Sequence, residues 1–274
     1  MTSKVIAVRR PRRHARFMSS SPSQAARWFD LFAAFGRSPG PDTYAAVFHP
    51  DGEVSDAGMA TPTPASQVRD AIAHVLRLMP DLTIDMRRYR SRGAAVFVEA
   101  ANRGTINGTP VAWGATYRVH LRDGGVHRGR RFYDQAALFR ALRPDMAWLP
   151  QMPASPQGIV SAYADLVHDA PLNASFASDA IIEVPDQRRP LAPGEVFSHL
   201  AGAPLQAIDW AGDDRLMFVE WRRGDLLGVD RLELDGGRIV SMRRYFDTLG
   251  LLAEHDPSVT ALRASLLSNA AGAD

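Results

Sequence analysis

Arginine and acidic side chains recur at matching places in the two halves of this 274-residue chain. The segment Arg130–Asp134 reads RRFYD, and Arg243–Asp247 reads RRYFD. Upstream of each segment, the triplet FVE ends in an acid, at Glu99 and at Glu220. A recurring acid could mark a functional site, because carboxylates move protons in acid–base catalysis. It could equally be a structural acid paired with the second arginine of each RR segment, which is the interpretation we favour.

One histidine also has the chemistry of a general base. Side chains alternate along a strand, so TPVAWGATYRVHLR puts Arg118 and His120 on one face and Trp113, Tyr117 and Val119 on the other. The apolar set is the better candidate for a ligand-facing surface. We therefore expect His120 on an outer or packing surface.

The sequence carries none of the short motifs that announce a cofactor. It has no HExxH, GxSxG, P-loop or dinucleotide fingerprint. It also has no cysteine, which excludes disulfides and thiolate metal sites. We expect a protein without cofactor or metal, so that any catalysis falls to acid–base side chains.

The elements that must position these residues recur as well. Each five-residue segment follows a strand, a glycine-containing turn and a second strand, and precedes an apolar helical pattern (AALFRAL and LGLLAEH). WFDLF and YADLV, and then VFHPDGEV and SFASDAII, recur in the same order. A shared surface motif could arise without duplication, but the conserved order favours a tandem repeat of roughly 110–120 residues, a common domain size.

In each copy, helical patterns and one short strand precede a four-strand meander. A helix packed on such a sheet can close a cone, and ligand sites prefer such concavities. We predict an α+β protein of two tandem cone-shaped domains, each a curved antiparallel sheet wrapped around helices. The expected boundaries are a disordered basic arm at 1–22, domain 1 at 23–146, a proline-rich linker at 147–157, domain 2 at 158–256 and a C-terminal tail at 257–274.

The composition is that of an ordinary soluble globular protein, with 46% hydrophobic and 23% charged residues. No apolar run approaches a membrane span, and the basic start lacks the apolar core of a secretory signal. These features, with the absence of cysteine, favour a cytoplasmic protein without a membrane partner. Five arginines lie between Arg9 and Arg16. They could form a nucleic-acid arm, but we favour a disordered extension and expect no nucleic-acid partner.

The order of the predicted helices and strands resembles that of the nuclear transport factor 2-like superfamily. So does the segment FVEAANRGTINGTPVAWGATYRVHLRDGGVHRGRRFYD. Within this superfamily, the SnoaL-like and ketosteroid-isomerase-like branch is the most similar, and the turn, strand, RRYFD and helix ending is typical of that branch. The resemblance covers both copies. The family includes polyketide cyclases, isomerases, dehydratases, epoxide hydrolases and non-catalytic binding modules, so it implies the fold more strongly than the reaction.

The resemblance also implies catalytic positions. Ketosteroid isomerases have a carboxylate base at the end of the first strand, and FHPDGEVSD places Asp56 there. Copy two aligns Val184 at that position, with Glu183 one residue before. The oxyanion tyrosine of the family's first helix corresponds to Tyr163 in AYADLV, where copy one has Trp28.

The family's second oxyanion donor is an acid on the penultimate strand. Asp230 lies near this position in copy two, and copy one has residues around Thr116. Copy one therefore keeps the base without the donors, and copy two keeps the donors with a displaced acid, which argues against literal ketosteroid isomerase chemistry. Epoxide-hydrolase-like members use an Asp-Arg-Asp set, for which Arg223–Asp225 and Asp247 are the nearest candidates.

These considerations predict a cofactor-independent acid–base enzyme of the cyclase, isomerase or dehydratase type. Its partner would be a small apolar carbonyl-bearing metabolite such as a polyketide, held by Trp28, Phe32, Trp113 and Tyr117. A non-catalytic small-molecule or partner-binding module and an epoxide-hydrolase-like reaction stay open as alternatives. We also expect the two domains to pack through their sheets as a pseudo-dimer within one chain, and the chain could further form a homodimer.

Overall fold

The computed structural model describes residues 22–57, 61–142, 176–185 and 206–253, together with Val259 and Ala261. The predicted basic arm apart from Pro22, the linker, the first helix of domain 2 and nearly all of the tail lie outside these ranges. The boundaries proposed between the domains therefore stay predictions. What the structure describes is two sheets with the helices that accompany them.

Domain 1 supplies the first sheet and four α-helices. Its tight turns follow from sequence, because Asn107–Gly108 and Asp123–Gly124 all have positive φ, which two-residue hairpin turns of this kind require. The elements are α1 (Pro22–Arg37), α2 (Pro41–Ala45), β1 (Phe48–Asp56), β2 (Thr63–Pro64), a 3-10 turn (Ala65–Gln67), α3 (Val68–Leu78), β3 (Thr83–Arg92), β4 (Ala95–Ile106), β5 (Thr109–Arg122), β6 (Gly125–Tyr133) and α4 (Ala136–Leu142).

Domain 2 supplies the second sheet. Its described elements are β7 (Phe176–Glu183), β8 (Gln206–Gly212), β9 (Leu216–Arg223), β10 (Leu226–Asp235), β11 (Arg238–Phe246) and α5 (Thr248–Ala253). Within the described ranges of the chain, no helix is both long and apolar enough to cross a membrane.

Apart from the additional edge strand β2, the two sheets have the same strand order. The first runs β2-β1-β6-β5-β4-β3 and the second runs β7-β11-β10-β9-β8. The predicted α+β class with two domains is confirmed, and each meander is antiparallel. The first strand of each unit joins the last in parallel, β1 with β6 and β7 with β11, so both sheets are mixed. A parallel pair needs a long connection, and here the chain between the partners supplies it.

The repeat extends to the irregularities of the sheets. The register of each unit shifts at three places, once on the outer strand, once in the final hairpin and once on the first strand. The matching shifts fall at Met86/Arg88 and Ala207/Asp209, at His120/Leu121 and Glu233/Leu234, and at Phe48/Glu53 and Phe176/Ile181. β-Bulges are specific features of a strand pair, so their recurrence marks the two sheets as copies of one unit.

Each sheet buries one face in its own cone. In domain 1, Trp28 and Phe32 of α1 lie with Val96, Val98 and Val119 of the strands in one core cluster, all 5% exposed or less. Their spacing puts the two aromatic residues on one face of the helix, as the sequence predicts. A second cluster in domain 2 is built by the equivalent strand faces.

The opposite faces of the two sheets pack against each other, as predicted. Phe97 and Phe218, the equivalent residues of the two FVE triplets, stack there with ring centroids 6.0 Å apart. Arg118 and His120 face this contact, so His120 lies on a packing surface as expected and bonds Asp209 across it at 3.1 Å.

The last residue of each five-residue segment joins the two units. The Asp134 carboxylate accepts hydrogen bonds from the N–H of Ala136, at the start of its own helix, and from the N–H and hydroxyl of Thr248 in the other unit. Asp247 accepts reciprocally, from the N–H of Leu249 and from that of Gln135. Each aspartate therefore caps its own helix and fixes the start of the equivalent one.

Candidate active site

The interior of the domain 1 cone is lined mostly by aromatic and aliphatic side chains. Trp28 is anchored through its indole N–H to the carbonyl of Val47 at 3.2 Å, and Phe32 meets the ring of Tyr117 edge-on at 4.9 Å between centroids. Tyr44 from α2 and Phe48 from β1 close the other side of the same cavity. Trp28, Phe32 and Tyr117 all line this cavity, and their role in holding a ligand stays a prediction.

The cavity itself is narrow. Its empty volume is about 290 Å³, but only about 20 Å³ can be reached by the centre of a water molecule. That is space for about one water molecule. A metabolite can enter only if lining side chains move, and Tyr44 and Phe48, which meet edge-on at 5.1 Å, are the aromatic pair on the α2–β1 side.

Asp56 and Arg131 form the charged part of this cone. The parallel register of β1 and β6 places the two residues side by side. Nε and Nη2 of Arg131 donate to the two carboxylate oxygens of Asp56 at 2.7 and 3.0 Å. The Asp56 side chain is only 12% exposed, and Arg131 also lines the cavity. The predicted base, Asp56, is therefore a carboxylate in a bidentate ion pair with Arg131 beside the cavity.

Three tyrosines surround this ion pair. Burial raises the pKa of Tyr44, Tyr117 and Tyr133, and the charge of Asp56 raises it further, while that of Arg131 opposes the change. Their hydroxyls are consequently protonated at neutral pH and can donate hydrogen bonds. The hydroxyl of Tyr117 lies 3.5 Å from Oδ1 of Asn102, inside the cone.

A held carboxylate beside protonated hydroxyls can perform proton transfer. A carboxylate has about four lone-pair sites, and Arg131 uses two of them, so Asp56 can still accept a proton. The two hydrogen bonds from the Arg131 guanidinium fix the orientation of the Asp56 carboxylate. A hydroxyl aimed at the developing oxyanion would stabilise an enolate.

Trp113 lies away from this cavity. It is half-buried and lines a larger, charged cleft of about 520 Å³ where the two sheets meet, together with Arg231 and Arg243. Its predicted role in holding the same ligand as Trp28 has no support from this placement.

The residues predicted in copy two are distributed differently. Asp230 is fully buried and accepts two hydrogen bonds from Arg244, both at 2.6 Å. β7 ends at Glu183, which pairs with Arg243, and Val184 follows it. Continuing this register puts Val184 next to Arg244, where domain 1 has Asp56 next to Arg131. Glu183 is 45% exposed at the sheet edge, 3.7 Å from Arg243. Tyr163 lies outside the described residues.

The favoured partners of Glu99 and Glu220 were wrong. The structure pairs the second arginine of each segment with an aspartate in the cone, at Asp56 and Asp230, and turns both glutamates towards the other sheet. Glu220 binds Arg118 at 2.7 and 3.1 Å, while Glu99 accepts a 2.5 Å hydrogen bond from the hydroxyl of Tyr245. The error arose because the pairing depends on which sheet face each residue occupies.

The epoxide-hydrolase candidates do not form a set. Gly224 and Asp225 lie in the turn between β9 and β10, with Gly224 at a φ of 56°. Asp247 is a helix cap, as described above. Among the residues that the structure describes, no group of three or more histidine, aspartate or glutamate side chains is placed to hold a metal ion.

Sequence reasoning missed the chemical role of Arg131 and the presence of Tyr44 and Tyr133. The recurring five-residue segment contains Arg131 and Tyr133, so its repetition was the available signal. The contact with Asp56 joins residues 75 positions apart through a parallel pairing. Nothing in the local pattern gives that register.

The comparisons with known proteins agree with this description of domain 1. Residues 25–128 match the family model of the SnoaL-like domain. Domain 1 is therefore a SnoaL-like domain, as the resemblance predicted, and the second sheet repeats its strand order. None of the curated proteins compared with this chain matches it.

Several solved structures resemble one unit of the chain. A ketosteroid isomerase-like protein from Catenulispora acidiphila DSM 44928, in complex with trimethylamine, is 19% identical over 44% of this chain and 93% of its own, with a TM-score of 0.38. IdmH, a candidate polyketide cyclase from Streptomyces antibioticus, is 17% identical over 43% and 98%, with 0.39. AclR, a candidate hydroxylase from Streptomyces galilaeus, is 16% identical over 48% and 100%, with 0.39. Likeness at these values assigns neither reaction nor substrate.

Proposed function

We propose that the chain is a cofactor-independent acid–base enzyme of the cyclase, isomerase or dehydratase type. Its substrate would be a small apolar metabolite with a carbonyl group, such as a polyketide, bound in the cone of domain 1. The observation that supports this most is the Asp56 carboxylate, held by Arg131 beside an apolar cavity that protonated tyrosines also line.

In this proposal, Asp56 removes a proton from the carbon next to the carbonyl group. The hydroxyl of Tyr117 or Tyr44 donates a hydrogen bond to the oxygen that becomes negative, and this donor is most effective in a dry, apolar site. Arg131 is a positioning residue that fixes the Asp56 carboxylate. The proton then returns from Asp56 to another carbon or to a leaving hydroxyl, which distinguishes isomerisation from dehydration.

The test is the exchange of carbon-bound hydrogen for deuterium in D₂O, followed by NMR for a panel of small ketones and β-diketones. We expect the wild-type protein to accelerate exchange for some members. Asp56→Asn should reduce that acceleration by about 100-fold or more, since general-base catalysis contributes on this scale. Tyr117→Phe should reduce it less, because Tyr44 lies in the same cavity.

Glu183→Gln is the matched comparison, since it removes an acid from the equivalent strand of domain 2. It should leave exchange unchanged if domain 1 holds the base. Equal exchange in the wild-type and Asp56→Asn proteins, with both folded by circular dichroism, would remove the assignment. Loss of exchange in Glu183→Gln alone would move it to domain 2.

One observation favours the second candidate, a non-catalytic binding module. The cavity is almost filled, and both oxygens of Asp56 are already engaged. Phe48→Ala enlarges the cavity without touching the ion pair. If this variant binds small ketones but neither it nor the wild-type protein exchanges their hydrogens, the binding module is the better description.

A further inference from the structure

The contact between the two sheets has a self-complementary centre. Arg118 of domain 1 binds Glu220 of domain 2, and the equivalent Arg231 of domain 2 lies 3.5 Å from the equivalent Glu99 of domain 1. The Phe97–Phe218 stack lies in the same apolar cluster between the sheets. Such reciprocity is what a twofold contact between identical units produces.

Around this centre, equivalent positions carry opposite charges. Arg88 on β3 is matched by Asp209 on β8, because each sits after the same bulge and opposite the equivalent glutamate. His120 on β5 is matched by Glu233 on β10, because each begins the bulge with the final strand. Domain 1 therefore has a basic side chain at both positions, and domain 2 has an acid at both.

These charges pair across the contact. Arg88 Nη1 donates to Glu233 at 2.6 Å, and His120 bonds Asp209 at 3.1 Å. Two further arginines of β3 extend the pattern, with Arg92 bound to Asp209 at 3.1 Å and Arg90 lying 2.8 Å from Asp213. The border of the contact is thus basic on domain 1 and acidic on domain 2, while its centre is the same on both.

A contact between two identical domains would use the same surface differently. Two copies of domain 1 would place Arg88 opposite His120, with Arg90 and Arg92 alongside. Two copies of domain 2 would place Asp209 opposite Glu233. Like charges brought together at a contact suppress the wrong partner, and this repulsion gives specificity that a shared apolar centre lacks.

We propose that this border makes the sheet face of each domain specific for the other domain, in its own chain or in a second copy, and rejects a second copy of the same domain. The partner that fits the face of domain 1 is an acidic-bordered sheet with a reciprocal arginine and glutamate at its centre. That partner is domain 2.

Charge exchange in the full-length chain tests the proposal. Asp209→Lys with Glu233→Lys makes domain 2 basic, and Arg88→Glu with His120→Glu makes domain 1 acidic. Each double variant should lower Tm by about 5 °C or more, since two pairs become repulsive in a chain of this size. The quadruple variant, in which both pairs are exchanged, should have a higher Tm than either double variant. It should stay below the wild-type Tm, because Arg92, Arg231 and Glu99 keep their charges beside the exchanged positions.

Two further measurements give the proposal its control and its test of specificity. Asp225→Lys with Asp235→Lys makes the same change in net charge on exposed residues outside the contact and should barely change Tm. A mixture of the two double variants, unfolded and refolded together, should form a dimer of two full-length chains by light scattering, because only exchanged domains are then complementary. The proposal is overturned if the quadruple variant is no more stable than the doubles, or if the mixture keeps the mass of one chain.

Discussion

The cones of domains 1 and 2 share a strand order, three register shifts and one arginine, yet they fill the space beside that arginine differently. In domain 1, Arg131 is held by Asp56 from the first strand, and Tyr117 stands next to it on the penultimate strand. In domain 2, Val184 follows the end of the first strand, and Asp230 on the penultimate strand holds Arg244.

A second exchange accompanies the first. At the position of Ala100 in domain 1, domain 2 has Trp221, which lies 4.9 Å from the guanidinium carbon of Arg244. Its strand neighbour is Gly228, where domain 1 has Ala115, and a side-chain carbon added there would meet the indole at 2.1 Å. Domain 2 has therefore placed a large ring in its cone, with a glycine that makes room for it. One scaffold supports a lined cavity in one copy and a sealed ion pair in the other.

The largest expected effect is the loss of the sealed pair. Asp230→Asn should lower the free energy of unfolding by about 3–5 kcal/mol, because it leaves Arg244 charged and buried. Asp56→Asn should cost only about 1–2 kcal/mol, because its partner is partly exposed. Urea unfolding of both variants measures the contrast. Equal losses would mean that the two ion pairs contribute equally to the free energy of unfolding, which would contradict this contrast.

Moving the acidic partner of Arg244 from position 230 to position 184 tests whether domain 2 can adopt the arrangement of domain 1. Val184→Asp in the Asp230→Asn background places a carboxylate where domain 1 has Asp56. We expect the double variant to recover about 1–2 kcal/mol relative to Asp230→Asn, since opposite charges then meet again beside Arg244. Val184→Asp alone should be destabilising, because it buries a second acid. A double variant less stable than either single variant would show that an acid at position 184 cannot replace Asp230 as the partner of Arg244.

The pH dependence of the contact between the domains is a smaller effect. Burial alone would raise the pKa of Asp209, but the hydrogen bond and charge of His120, with Trp210 N–H and Arg118, lower it below its usual value. The folded state therefore binds the proton less tightly than the unfolded state. This contribution to stability is present above the unfolded pKa of about 3.9 and is lost as the pH falls through the folded pKa.

The difference in unfolding free energy between the wild-type protein and Asp209→Asn should therefore be larger at pH 7 than at pH 3. Chemical unfolding at the two pH values measures it. A difference that grows on acidification would contradict the assigned ion pair.

The smallest effect is expected at the exposed edge of domain 1. Glu53 lies 3.8 Å from Arg128, and the two side chains are 43% and 68% exposed. Glu53→Gln should change the free energy of unfolding by less than about 0.5 kcal/mol, because solvent screens exposed pairs. A larger loss of unfolding free energy in the same urea assay would contradict the view that burial decides how much each ion pair contributes to stability.

The sequence predicted what depends on local pattern. The strand TPVAWGATYRVHLR was predicted over the observed β5, and its alternation correctly turned Tyr117 into the cone and His120 out of it. The repeated RRFYD and RRYFD segments correctly indicated two related units. Both results rest on side-chain periodicity and turn chemistry, which act within a few residues.

The pairing of charges escaped prediction because it depends on distant register. Asp56 meets Arg131 only since β1 joins β6 in parallel, and Glu220 meets Arg118 only since the two sheets pack face to face. Alternation does not reveal which acid an arginine will meet across a sheet or between sheets. The nearly filled cavity likewise reflects how Tyr44 and Phe48 pack, which no single segment determines.

A crystal structure of the protein with the ketone that exchanges fastest would test the central claim most directly. The account predicts the compound in the cone of domain 1, with its carbonyl oxygen within 3.2 Å or so of the hydroxyl of Tyr117 or Tyr44 and its acidic carbon against Asp56. A compound bound in domain 2 or in the charged cleft between the sheets, with the domain 1 cone still filled by its own side chains, would contradict it.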